Sequence, residues 1–385
     1  MFRGKIRMNF SQLTEVAIIA FLITMTFSLT TPIFPIFAEK IYGGPEGVGL
    51  ITAVFGLSAI FISFHIMTFF EKWGVLKNLK IGLILFSFVF ASYTLINSTI
   101  ALALVQVILA VAVCLCTTAL SILVNNSSKK KNLGSSEGKY FTVMNLGMFL
   151  GILNGGIIAK SYSYTTVFSY ASLFFLGIYA ISGSMGIRDI AIKRKESENS
   201  IKNAIIFFSD IKLRKIFVSN LGLYFWSFVA FLYLPIILMS LGFDFGKIGI
   251  IFAIMIVPYI MLEYPIGRLA EKEGSKKYIS LGFFAITIAS FLIYVNYGAI
   301  NSMILFFFLA FMGAAAIEPL NEMELDKHSK KSNIIENMSV FKTSIRIAHF
   351  LGPLSAAAMI SLFGMREMFL VLAIIMVGFW WMVRK

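Results

Sequence analysis

One charged stretch occurs twice in this sequence. Glu71-Lys72-Trp73-Gly74 recurs 200 residues later as Glu271-Lys272-Glu273-Gly274, and each copy lies between two apolar runs. A second pair has nearly the same offset: Gly151-Ile152-x-x-Gly155-Gly156 and Gly352-Pro353-x-x-Ala356-Ala357. Because self-similarity at a fixed spacing indicates a repeated architecture, the second part of the chain is predicted to repeat the first.

The residues around these stretches are those of a membrane protein. Of the 385 residues, 58% are hydrophobic and 14% are charged, whereas soluble domains have about 25% charged residues. A membrane span needs roughly 20 apolar residues, and twelve runs approach this length. They are Val16–Ala38, Val48–Phe70, Leu79–Ile96, Ile100–Val124, Tyr140–Ala159, Thr166–Ile187, Ile216–Ser240, Ile248–Ile266, Tyr278–Tyr297, Met303–Leu320, Ile335–Phe363 and Met368–Val383.

The predicted fold is an all-α membrane protein with twelve transmembrane helices in two pseudo-symmetric six-helix bundles. The bundles are predicted at 1–187 and 216–385, with a cytoplasmic linker at 188–215. An even number of helices in each repeat makes the repeats parallel, related by an axis along the membrane normal. The linker is polar and ends in an amphipathic segment, Ile205–Ile211, which is interpreted as a surface helix of a solvated connector rather than as a regulatory segment.

The basic residues predict an orientation. The net charge is +14, but the Lys and Arg residues form short strings between apolar runs, which excludes a nucleic-acid-binding patch and fits lipid headgroups. With the N-terminus inside, the outer loops receive only Lys40, Lys160, Lys247 and Arg366 of the 33 basic residues. The positive-inside rule therefore predicts a multi-pass protein of the plasma membrane with both termini in the cytoplasm.

The second charged stretch is part of a longer one, Gly267-Arg268-Leu269-Ala270-Glu271-Lys272-Glu273-Gly274, followed by Lys276 and Lys277. It resembles the loop signature of the major facilitator superfamily, Gly-x-Leu-Ala-Asp-Arg-x-Gly followed by basic residues, and the resemblance covers essentially the whole chain. It implies a transporter that works by alternating access. The acid of the first copy would contact the start of the eleventh span, and by symmetry that of the second copy the start of the fifth. The implied gating residues are Glu71, Lys72, Gly74, Gly267, Arg268, Glu271, Lys272 and Gly274.

The fifth run has a face of small residues, Gly147-x-x-x-Gly151-x-x-x-Gly155-Gly156, which would allow another helix to approach closely. The spacing resembles the family's antiporter signature, Gly-x-x-x-Gly-Pro-x-x-Gly-Gly, with Ile152 in place of Pro. That resemblance implies a proton-coupled exporter of the drug:proton antiporter type.

Several ionisable residues lie inside the apolar runs, where a charge costs roughly 2.5–3.5 kcal/mol on insertion scales. Arg346 and His349 share a face of the eleventh run, Glu263 lies in the eighth, and Glu318 in the tenth just before Pro319. A buried carboxylate or His349 would take the coupling proton, and Arg346 would modulate it or hold an anionic substrate group. The alternative is a permanent structural ion pair.

Two amides complete the candidate site. By the repeat offset, Asn145 in the fifth run is equivalent to Arg346 in the eleventh. Family exporters often carry an Arg in the fourth span, and Gln106 stands at the most comparable place here.

The leading hypothesis is proton-coupled efflux of small amphipathic compounds by a monomer. The alternatives are proton-coupled uptake of an organic anion or sugar, and a non-transporting sensor with a transporter fold. Without a nucleotide-binding loop, the energy is predicted to come from a proton gradient, with no cofactor and no enzymatic activity. No metal site is predicted, because Cys114 and Cys116 lie only two residues apart on one helix and the chain has three His residues.

Overall fold

The computed structural model describes residues 12–127, 133–185, 187, 189, 200–329 and 333–384. This part of the chain is helical throughout, with no strand. Its helices are α1 (Gln12–Ser28), α2 (Phe34–Tyr42), α3 (Pro45–Trp73), α4 (Val75–Tyr93), α5 (Thr99–Ser127), α6 (Leu133–Ser161), α7 (Tyr164–Ser184), α8 (Ser200–Ser209), α9 (Ile211–Ser240), α10 (Phe245–Glu273), α11 (Ser275–Val295), α12 (Ile300–His328), α13 (Ile334–Phe363) and α14 (Met365–Arg384).

The chain is a multi-pass membrane protein. Eleven described helices, α3 to α7 and α9 to α14, are long and apolar enough to cross a membrane, and α1 is a shorter apolar helix. Large apolar side chains also face outward on the spans: Phe64 of α3 is 69% exposed and Leu104 of α5 is 63% exposed. Such side chains need lipid around them rather than water.

The first predicted span differs from the structure. Val16–Ala38 was expected to be one helix, but two helices, α1 and α2, cover it with a turn at 29–33 between them. Pro32 has no N–H to donate, and a proline disfavours helical backbone at the residue before it, here Thr31. The turn tightens, and the Thr30 and Thr31 amides donate to Phe27 and Ser28, three residues back. Eleven long spans and one divided run therefore replace the twelve uniform spans predicted.

The helix bounds follow the predicted repeat. Helices α3 and α10 each have 29 residues and begin 200 residues apart, at Pro45 and Phe245. Each is followed by a glycine with positive φ, 77° at Gly74 and 91° at Gly274, where the next helix begins. Since non-glycine residues rarely adopt this conformation, these two glycines fix the sharp turns of the repeated charged stretch.

The chain divides into two compact units. Unit 1 comprises Met1–Phe37, Ser58–Arg194 and Asp244–Ala253, and unit 2 comprises Ala38–Leu57, Lys195–Phe243 and Ile254–Lys385. Within unit 1, α1 packs on α6, and α4 packs on α5 and α7. Within unit 2, α11 packs on α12 and α14, and α9 packs on α12 and α13.

A buried polar network joins three helices of unit 2. The Ser219 hydroxyl of α9 donates to Asn321 Oδ1 of α12 at 2.7 Å, and Asn321 Nδ2 donates to Asn220 Oδ1 at 3.4 Å. Asn220 Nδ2 then donates to the hydroxyl of Ser344 on α13 at 2.8 Å. All four side chains are buried, so these bonds hold α9, α12 and α13 together where neither water nor lipid could replace them.

Candidate functional site in the membrane-spanning region

A carboxyl and a phenol form a short hydrogen bond inside unit 2. The Tyr224 hydroxyl of α9 donates to Oε1 of Glu318 on α12 at 2.6 Å. The pair lies one helical turn from the polar network, because Tyr224 follows Asn220 by four residues and Glu318 precedes Asn321 by three. A hydrogen bond to a carboxylate is among the stronger protein hydrogen bonds, and it holds Glu318 in one orientation.

Further polar groups surround this pair. The Tyr259 hydroxyl of α10 hydrogen-bonds with the Ser227 side chain and lies within electrostatic range of Glu318 and Glu263. Glu322 is near enough to Tyr224 for the carboxylate and the phenol to interact electrostatically. The predicted residues Glu263 and Glu318 thus share the surroundings of one tyrosine, which the sequence pattern alone did not indicate.

His349 of α13 lies between two aromatic rings. Its ring stacks on Phe228 of α9, with centroids 3.9 Å apart and planes inclined at 19°, and contacts Phe55 of α3 at 4.5 Å. A protonated imidazole would be attracted to the faces of such rings, whereas a neutral one only packs against them. The imidazole is therefore placed where a change in its charge would alter the packing of α3 and α9 on α13.

The remaining predicted polar residues lie on α5, α6 and α13. Arg346 is half-buried on α13, one turn before His349, and Asn145 is half-buried on α6. Gln106 is buried on α5, and its Nε2 donates to the Tyr93 hydroxyl of α4 at 2.9 Å. Tyr93 itself packs against Phe37 and Phe168. Gln106 therefore satisfies a buried phenol within helix packing, an arrangement that favours a structural role.

The glycine face of α6 lies against α1. A Cβ atom at Gly147 or Gly151 would lie within 3.0 Å of a backbone oxygen of α1, and one at Gly155 would meet the oxygen of Leu29, the first residue after α1. Gly156 turns instead toward α10, where an added Cβ would lie 2.6 Å from the Phe245 oxygen and 2.7 Å from the Gly249 Cα. Only glycine allows both approaches, so the four small residues serve two helix crossings rather than one.

A salt bridge lies beside the crossing of α6 and α10. Lys160 Nζ is 3.2 Å from Asp244 Oδ2, and Asp244 Oδ1 accepts from the Lys247 amide at 2.9 Å. The amide of Lys247 and, to a lesser extent, the Lys160 ammonium hold the pKa of Asp244 below its ordinary value of 3.8. The Lys160–Asp244 pair and the close backbone contact at Gly156 thus both hold α6 and α10 together at this crossing.

The first turns of α3 make an equivalent crossing in unit 2. A Cβ at Gly56 would lie 2.6 Å from the His349 oxygen and 2.6 Å from the Phe350 Cα of α13. At Gly49 it would meet the Pro353 oxygen and, at 2.6 Å, the Tyr233 hydroxyl. Since α3 and α10 occupy equivalent places in the repeat, the two crossings are also equivalent.

The first charged stretch, which is the end of α3 and the turn at Gly74, has an unexpected partner. Asp189, after α7, accepts a hydrogen bond from the Leu76 amide at 2.9 Å and so caps the N-terminus of α4. An added Cβ at Gly74 would lie 2.8 Å from its Oδ2. Glu71 is half-buried, and among the described residues its buried Oε1 has no hydrogen-bond partner. Lys72 is exposed, with Nζ 5.8 Å from the centroid of the Trp73 ring.

The second charged stretch, at the end of α10, is more exposed than the first. Gly267 lies inside α10 with open space beside it, and the Arg268 guanidinium lies 5.3 Å from the Tyr264 ring centroid. Glu271 and Lys272 are exposed, and Gly274 forms the turn into α11. Sequence reasoning had no signal for the Asp189 cap or for the tyrosines beside Glu318, because these contacts join residues far apart in the chain.

The Asp244 carboxylate gives a pH-dependent prediction. Because its pKa is depressed on folding, the stability that it contributes is present above its ordinary value and is lost as the pH falls through the lowered value. Asn can still cap a helix, so Asp244→Asn removes only the charge. We expect a melting temperature lower by roughly a few degrees or less from pH 8 to pH 5, and a difference that shrinks as the pH falls below 3.8.

The measurement is thermal unfolding of both proteins in detergent. Lys160→Gln serves as the matched variant and should show a smaller decrease over the same pH range, because the Lys247 amide still stabilises the Asp244 carboxylate. A difference that grew as the pH fell from 5 to 3 would contradict the assignment of the Asp244 charge.

Long apolar helices that cross at glycine contacts, with the half-buried Glu318 carboxyl between two of them, are the features of a multi-pass membrane protein. The chain belongs to the Major Facilitator Superfamily, whose sequence model matches residues 16–245 and 216–385. The protein is therefore a membrane transporter of that type.

The comparisons with individual proteins agree. An uncharacterized MFS-type transporter of Methanocaldococcus jannaschii is 21% identical over 347 residues, which are 88% of each chain. The nucleoside transporter NupG superposes with a TM-score of 0.78 and 11% identity, covering 97% of this chain and 98% of that one. A variant of the peptide transporter POT superposes with a TM-score of 0.77 and 13% identity, covering 97% of this chain and 93% of that one. The human organic anion transporter MFSD10 superposes with a TM-score of 0.72 and 14% identity, covering 96% of this chain and 98% of that one. At these identities the solved structures establish the fold alone.

Proposed function

We propose that this protein exports small amphipathic compounds in exchange for protons, by alternating access across the plasma membrane. The observation that carries the proposal is the hydrogen bond between Glu318 and Tyr224 inside a membrane-spanning region. A carboxyl in this position is expensive to keep charged and is therefore expected to be functional. Glu318 can take up one proton and release it, and its partner is a neutral phenol that does not compensate a full charge.

The surroundings of Glu318 suit a coupling site. Tyr259 and Glu263 of α10 and Glu322 of α12 place further acidic and phenolic groups in the same region. A proton and a substrate that compete for one acidic region give exchange, because each can bind only when the other has left.

The glycine crossings support a gate. With the termini in the cytoplasm, the first turns of α3 and α10 lie at the outer end of the membrane. The contacts of Gly49 with α13 and of Gly156 with α10 would then close the outer entrance. Backbone contacts without interlocking side chains can separate and re-form, which suits helices that open and close this entrance.

Uptake is the second candidate. Arg346 is half-buried on α13, one turn from His349, where it could bind an anionic group of an imported substrate. The face of Gly147, Gly151, Gly155 and Gly156, with the antiporter-like spacing, supports export instead. A sensor without transport activity is the third candidate.

The test is flux in proteoliposomes that hold a pH-sensitive dye. Candidate compounds are first chosen by their ability to raise the melting temperature of the purified protein. With an imposed pH gradient, an exporter should move such a compound toward the acidic compartment while protons move the opposite way. Movement of compound and protons in the same direction would instead identify a symporter. If no stabilising compound moves, with or without a gradient, transport itself is refuted and the sensor is favoured.

A further inference from the structure

Helix α8 has an apolar surface that the transmembrane bundle does not use. Ile205 and Ile206 are 66% and 49% exposed, whereas the ring of Phe208 packs against Phe217 of α9 with centroids 4.9 Å apart. The helix has ten residues, so at about 1.5 Å per residue it is too short to cross a hydrocarbon core of about 30 Å. Its exposed apolar side chains therefore cannot be explained as those of a spanning helix.

The opposite side of α8 is firmly attached to the protein. Phe207 is fully buried in a cluster with Leu213, Phe217, Leu325 and Phe341, from α9, α12 and α13. At about 100° per residue, Ile205 lies about 160° around the helix from Phe207. The anchored side fixes the helix, and the exposed side consequently faces away from the bundle.

Positive charge lies directly beside this surface. Helix α9 begins at Ile211, itself 55% exposed, and carries exposed Lys212 and Arg214 in its first turn. Cations are unfavourable at the positive end of a helix dipole, and Asp210 caps this end through the Lys212 and Leu213 amides. An anionic group outside the protein would stabilise the Lys212 and Arg214 charges at this end of α9.

We propose that α8 and the start of α9 form an anionic-lipid binding surface. Ile205 and Ile206 would insert among the lipid tails at the edge of the bilayer, and Lys212 and Arg214 would bind the headgroup phosphates. The membrane fits this surface because α8 ends at Ser209, two residues before the spanning helix α9, and cannot be far from the headgroups. Apolar insertion beside basic residues is how an amphipathic helix lies in an anionic interface.

The first measurement is lipid binding to the full chain by native mass spectrometry, with phosphatidylglycerol and phosphatidylcholine as probes. Because each cation near the surface contributes to binding, Lys212→Gln with Arg214→Gln should weaken phosphatidylglycerol binding by about tenfold or more. Binding of phosphatidylcholine should not change. A charge-matched control, Lys276→Gln with Arg384→Gln, removes two exposed cations elsewhere and should keep phosphatidylglycerol binding within about twofold of wild type.

The second measurement locates the apolar side chains. Ile206→Cys is labelled with an environment-sensitive dye in nanodiscs; Cys114 and Cys116 are buried, and the unaltered chain serves as the blank. We expect blue-shifted emission that brominated lipid tails quench, more strongly when phosphatidylglycerol is present. Emission typical of water in every lipid mixture would overturn the proposal and favour a protein partner, as would unchanged phosphatidylglycerol binding in the Lys212/Arg214 variant.

Discussion

Replacing Gly156 by valine should reduce transport by about a hundredfold while the protein remains folded. The new Cβ would lie 2.6 Å from the Phe245 oxygen and 2.7 Å from the Gly249 Cα, both of which are backbone atoms that cannot turn aside. Overpacking of this kind costs about 1–3 kcal/mol, and the upper value corresponds to a factor of about 100 in a rate that requires the crossing to close. Gly156→Ala should have a smaller effect, because it lacks the two methyl groups.

The matched control is Gly177→Val on α7, where nothing lies within 4 Å of an added Cβ. It changes the same residue type in a spanning helix without touching a crossing, so its transport should equal that of the wild type. Folding is checked for all variants by size-exclusion chromatography and thermal unfolding. If Gly156→Val retained transport within about twofold of wild type, the crossing of α6 and α10 would not be part of the gate.

The second large effect is expected at Glu318. Glu318→Gln keeps the size of the side chain and can still accept a hydrogen bond from Tyr224, but it cannot take up a proton. We expect the flux driven by a pH gradient to fall by about a hundredfold or more, while exchange of labelled for unlabelled substrate continues. Tyr224→Phe, which removes the hydrogen bond at 2.6 Å, should reduce gradient-driven flux by about tenfold.

Asp326→Asn provides the control for Glu318→Gln. Asp326 is an exposed acid near the end of the same helix, so its neutralisation should leave both kinds of flux unchanged. Wild-type gradient-driven flux in Glu318→Gln would remove Glu318 from the coupling site. Equal loss of exchange and of gradient-driven flux would point to substrate binding rather than to proton coupling.

The apolar runs and the repeat could be predicted because they depend on local composition. The run Val48–Phe70 lies inside α3, and Ile335–Phe363 coincides with α13 except for its first residue. The helix ends were less predictable: the run Met303–Leu320 continues as helix α12 to His328. Charged residues stop the hydrophobic pattern but not the helix, which continues beyond the apolar core.

The contacts of the candidate site could be predicted only in part. Glu318 was recognisable as an acid in an apolar run, but its partner Tyr224 is 94 residues away and was one of many aromatic residues. Asp189 lay in a polar segment where nothing distinguished it from its neighbours, although it caps α4. A single sequence identifies a residue whose type differs from its neighbours, such as an acid in an apolar run. It does not identify the partner that the fold brings from a distant helix. The division of the first span did have a local signal, Thr31 followed by Pro32.

The hydrogen-bonded side chains of Ser219, Asn220, Asn321 and Ser344 restrict how this protein can change over evolutionary time. Each of the four uses its neighbour as a partner, so replacing one by an apolar residue leaves a buried polar group unsatisfied on another helix. The set is therefore expected to be inherited or lost together. Its members also bind α9, α12 and α13 into one body, so a force applied to α13 would be passed to the helix that carries Glu318.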